Sequence, residues 1–162
     1  MRAVLVAAAL AAVPAGAEVR RLSPVATLPA LTNAFARVCV VGGSDAAAQR
    51  SAATAHGFRR SSEAAGSEGE AWASYPLSLT LVDRDGWTLC TVTAPLAAGV
   101  SAAEAAAAIR AIAGDGSEEV NTGQFVTWDR QLNGEPQRIR LTLSAAPGGQ
   151  TAVVQLAAKK AG

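Results

Sequence analysis

Histidine is nearly missing from this sequence, where His56 stands alone. A Ser-His-Asp mechanism would have to run through that one residue, and no serine occupies the Gly-x-Ser-x-Gly setting that exposes a nucleophile. Cysteine is almost as scarce. Cys39 and Cys90 are far apart and form no Cys-x-x-Cys pair, which excludes the closely spaced ligand sets of structural zinc. No metal or other cofactor is expected. Neither sign of charge is in surplus, with 14 Lys and Arg against 13 Asp and Glu. Without a basic cluster, the electrostatic footprint of a nucleic-acid partner is missing too. The longest apolar run, Ala3–Val13, falls short of the roughly 20 residues that cross a bilayer, so the mature form should carry no membrane span.

What the chain does have begins with that short run. Arg2 precedes it, and the small residues Ala15-Gly16-Ala17 follow it after Pro14. This is the layout of a secretory signal peptide, whose small residues before the cut fit the peptidase pockets. Cleavage is expected between Ala17 and Glu18, leaving residues 18–162 as a single domain in a periplasmic or secreted setting. An even cysteine count in an oxidising compartment points to a Cys39–Cys90 disulfide. The chain-entropy model assigns a loop of that length about 4 kcal/mol.

Leu31, Ala34, Phe35, Val38 and Val41 recur at spacings of three and four, the mark of one helix face, with Cys39 near its end. After Gly42-Gly43, Ser44 is placed to cap a second helix that Gly57 closes, with Phe58 folding back on it. The composition of 59–76 turns to Ser, Gly, Glu and Ala, which predicts a mobile surface loop. Leu77, Leu79 and Leu81 alternate with other residues up to a turn at Asp83-Arg84-Asp85-Gly86, and Trp87 to Thr93 alternates again, giving a hairpin. Ser101 and Glu104 form a capping box for a helix ending near Ala113. Three strands follow, at roughly 123–129, 137–145 and 150–158. The fold expected is therefore α+β: an antiparallel sheet of about five strands, built from the hairpin, a crossing helix and a three-stranded meander, with two N-terminal helices. That order permits a profilin-like or PAS-like arrangement, or an α-plus-meander packing.

The candidate surface residues are few. Trp72 and Tyr75 close the 59–76 loop, either docking it on the sheet or lining a groove. Arg138 and Arg140 alternate with Ile139 and Leu141 and so share an open sheet face, with Trp128 placed beside them, where an acidic partner fits. The acidic pairs Asp83 with Asp85 and Glu118 with Glu119 fall in expected turns or loops, where solvated charge is ordinary. Gly42-Gly43 before a helix start suggests an anion cradle, but it lacks the lysine and spacing of a P-loop and carries Asp45. Cys90 alternates with Trp87 and Leu89. If those two face the core, the disulfide must join the first helix to the less apolar side of the hairpin.

Phe35-Ala36-Arg37-Val38-Cys39, with the alanine-rich helix ending in Gly57-Phe58, resembles small uncharacterised exported proteins of proteobacteria over about a third of the mature chain. The resemblance implies periplasmic export and supplies neither a catalytic residue nor a ligand. The function expected is a non-enzymatic periplasmic binding or protein-interaction module for a protein or small molecule. The alternative is a small periplasmic enzyme with an unrecognised acid–base site.

Overall fold

A computed structural model describes residues 24–61, 69–115, 117–132 and 134–160. The expected signal peptide at 1–17 lies outside these residues, as does 62–68 of the expected loop. The first described helix, α1 (Leu28–Ala34), is capped by the Thr27 side chain and runs without a break into a π-helical turn, Phe35–Val40. The wider turn keeps Leu31, Phe35, Val38 and Cys39 buried together on one side. Helix α2 (Ala46–Ala55) is capped by Asp45, whose carboxylate accepts from the amides of Ala47 and Ala48. Ser44, the cap expected from the sequence, instead donates to Glu135 at 2.6 Å. The helix ends in a Schellman motif: Gly57 at φ +79° lets the Phe58 amide reach the Ala53 carbonyl, and the Phe58 ring is buried.

Eight strands follow: β1 (Arg59–Arg60), β2 (Glu70–Ser74), β3 (Leu77–Arg84), β4 (Trp87–Ala97), β5 (Glu118–Asn121), β6 (Phe125–Leu132), β7 (Glu135–Ala146) and β8 (Gly149–Lys159). They form one antiparallel sheet in the order β1-β2-β3-β4-β8-β7-β6-β5. Helix α3 (Ala102–Ala113) joins β4 to β5, opened by the expected box in which Ser101 and Glu104 satisfy each other's amides. The five-stranded sheet expected from the sequence is therefore corrected to eight strands. Two of the additional strands, β1 and β2, lie inside the segment read as a loop, and β5 lies between α3 and the expected meander.

One register line explains how the layers fit. Leu81, Cys90, Leu156, Ile139 and Trp128 are successive cross-strand partners from β3 to β6 and so share one face. All five are buried under the helices: the π-helical turn packs on β4 and β8, α2 on β3, and α3 on β6 and β7. The Cys39–Cys90 disulfide, with Cα atoms 5.4 Å apart, ties the helical layer to the middle of this face. The expectation that it meets the less apolar side of the hairpin is thus corrected. Asp85 and Gly86, at φ +52° and +76°, form a two-residue turn that pairs Arg84 with Trp87. That pairing sets Leu79 and Leu81 on the same side as Cys90, and Trp87 and Leu89 on the other. No described element covers that other side.

Candidate binding cleft on the uncovered sheet face

The next register line runs along the uncovered face: Val82, Leu89, Ala157, Arg138, Asp129 and Glu118, one from each strand between β3 and β5. Ala157 is the smallest side chain in it. Trp87, one alternation from Leu89 and 40 % exposed, rises on one side of Ala157, and Arg138 on the other. Between them opens a cleft of about 630 Å³, lined at its far end by Asp129, Glu118 and Gln131. The volume is within the range of small-molecule sites.

Its electrostatics follow from strand pairing. Arg138 and Asp129 are direct partners, and the guanidinium grips both carboxylate oxygens, Nε to Oδ1 at 2.6 Å and Nη2 to Oδ2 at 2.7 Å. The Arg138 hydrogen bonds hold the Asp129 carboxyl below its usual range, more than desolvation raises it, and raise Arg138 in return. Nη1 of Arg138 makes no hydrogen bond among the described residues. Glu118, opposite Asp129, has no partner among them either. Trp87 is flanked by cations, Arg84 on β3 and Lys159 on β8. Arg84 is paired with Asp85 at 2.9 Å. Beneath the cleft, Arg130 is half-buried and donates to the last carbonyls of α3, Ile112 and Ala113, and to Gln137. Burial lowers its pKa, and it remains the cation that completes the helix terminus.

The sequence-derived candidates divide. Arg138 lies in the cleft. Arg140 is one alternation away on the same face, its guanidinium 3.8 Å from the centre of the Phe125 ring. Trp128, placed beside them from the sequence, is fully buried on the opposite face and donates its indole N–H to Glu119 at 2.8 Å. Trp72 is half-buried on the helical side, opposite Leu79, with its indole N–H enclosed and without a hydrogen-bond partner among the described residues. Tyr75, 79 % exposed, sits at the β2–β3 turn. The eight-residue strand β3 separates it from the Trp87 end, about 24 Å.

Glu118 and Glu119 are not a pair, because alternation sends Glu118 to the cleft and Glu119 to Trp128 and Arg110. Asp83 and Asp85 are each in an ion pair, with Lys160 and Arg84. His56 is exposed at the C-terminus of α2. The Gly42-Gly43 turn is turned inward: the Gly43 carbonyl accepts from buried Gln49 at 2.8 Å. Among the described residues, no three His, Cys, Asp or Glu side chains gather as a metal site.

Trp87, Asp129 and Gln131 were not among the sequence-derived candidates, and Glu118 was weighed there only in a pair with Glu119. For Trp87 the signal was present in the Asp85-Gly86 turn, which fixes the pairing and hence the face.

The chain matches no protein-family model, no curated protein and no solved structure. The functional reading rests on the cleft. No described helix is long and apolar enough to cross a membrane.

Proposed function

We propose that the chain is an exported, non-catalytic binding module whose ligand lies on the uncovered sheet face, seated between Trp87 and the Arg138–Asp129 pair. The observation that carries this reading is Trp87 itself. A tryptophan that contributes nothing to the core stands 40 % exposed on β4, a strand paired on both sides. Such a large aromatic surface on a rigid support suits a contact made with something else. The Arg138 grip favours binding over proton transfer, because an Asp129 carboxylate held ionised is a poor acid and, with both oxygens engaged, a poor base. Export is supported by the signal-like start of the sequence and by the buried disulfide. Intact mass of the mature protein is expected to give a chain beginning at or near Glu18. A soluble form that keeps residues 1–17 would overturn export.

Saturation-transfer NMR against the periplasmic small-molecule extract of the exporting cell tests the site. Resonances are expected to respond to the native protein and to the Tyr75→Ala variant, but not to Trp87→Ala. Signals indifferent to Trp87→Ala would sink the cleft as the binding site. Conversion of an extract component would establish the alternative, an acid–base enzyme that works through Glu118, the cleft carboxylate that no described residue pairs.

A further inference from the structure

Resting on the binding reading, we infer that the cleft takes a neutral oligosaccharide, with one sugar ring stacked on Trp87 and the chain running across the strands towards Glu118. The charge pattern decides between ligand classes. Lys159 stands beside the indole, and the Arg84 on its other side is matched by Asp85, so the Trp87 end of the cleft holds no surplus of negative charge to attract a cation. At the far end Asp129 is matched by Arg138 and Glu118 adds a negative charge, so that end holds no surplus of positive charge to attract an anion. A neutral ligand needs neither.

The groups that remain are those that read hydroxyls. Among the described residues Nη1 of Arg138 makes no hydrogen bond, so the pair offers N–H donors from the guanidinium and lone pairs from the carboxylate at neighbouring edges. Adjacent sugar hydroxyls, each both donor and acceptor, match that edge. Gln131 adds an amide with both functions, and Glu118 adds an acceptor. The axial C–H face of a pyranose, slightly positive, meets the negative face of an indole. From Trp87 on β4 to Glu118 on β5 the cleft crosses β8, β7 and β6, four interstrand steps and about 19 Å. That span calls for an oligomer, since a single ring could not touch both ends.

The test uses the purified disulfide-bonded chain with three probes, maltohexaose, cellohexaose and N-acetylchitohexaose, at millimolar concentration. Binding is read by tryptophan emission and by saturation transfer. At least one probe is expected to bind, with affinity unchanged by added salt because the ligand is uncharged. Affinity should weaken about tenfold or more in Trp87→Ala and in Arg138→Ala, and be largely recovered in Trp87→Tyr. Melting curves of each variant guard against misfolding. Binding insensitive to Trp87→Ala overturns the inference, as does failure of all three probes or preferential binding of tetralysine or a hexagalacturonate. If the probes fail while the extract still gives Trp87-dependent signals, the sugar assignment falls and the binding module stands.

Discussion

Gly149 opens β8 opposite Ala97, and a Cβ there would overlap the Leu96 carbonyl oxygen. The obstacle is backbone within a ladder and cannot swing away. Gly149→Ala is expected to cost about 2 kcal/mol or more, read as a lower denaturation midpoint at unchanged slope. Among the described residues, three carboxylates are held below their usual range: Glu119, mainly by the Arg110 hydrogen bond, Asp129 by that of Arg138, and Glu104 by the Ser101 backbone and side chain. A depressed folded-state pKa contributes stability that is complete above the unfolded value and is lost as pH falls through the folded one. Stability should therefore hold at neutral pH and decline below about pH 4, the ordinary carboxylate range. Urea titrations across that window check it, and a flat profile would contradict the three hydrogen-bonded groups. Trp87 was legible at this scale only through its neighbours. Alternation alone placed it in the core, whereas the leucines of β3, read through the two-residue turn, place it outside.

Elements with side-chain signatures were readable, and elements held by backbone alone were not. The Ser101–Glu104 box and the Gly57-Phe58 ending each rest on residue types with one geometric use, and both are found where the sequence puts them. Ser101→Ala should cost about 1 kcal/mol. Its far-ultraviolet and thermal signatures should weaken together, and an unchanged melt would mean that packing on β6 and β7 alone holds α3. Strand β5, by contrast, consists of Glu118-Glu119-Val120-Asn121, exposed throughout, with no apolar alternation to betray it. It exists because β6 offers it a ladder. Strands β1 and β2 escaped notice for the same reason, being arginine on one and mostly small residues on the other.

For the whole molecule, the disulfide is the main long-range constraint outside the sheet. It closes a separation of 51 residues that contains α2 and β1 to β3, a segment in which the large buried apolar side chains among the described residues are Phe58, Leu79 and Leu81. Loop-closure entropy values it at about 4 kcal/mol. A Cys39→Ala/Cys90→Ala double variant should melt lower, and amide exchange should quicken first in α2 and β1 to β3. Equal melting temperatures would show that the helical layer holds without the bond. The overall shape was harder to read than the bond, since strand count depends on partners distant in sequence, while the cysteines announce themselves.

The same sheet has a lopsided profile, with strands of 11 and 12 residues in its interior and of two and four residues at its rims. A rim that short, and charged by Arg59 and Arg60 on one side and Glu118 and Glu119 on the other, gives an incoming strand few backbone groups to pair with. Crowded together, copies of this protein would find little to zip onto. Its broad face can therefore stay open to solvent without turning each molecule into a template for the next.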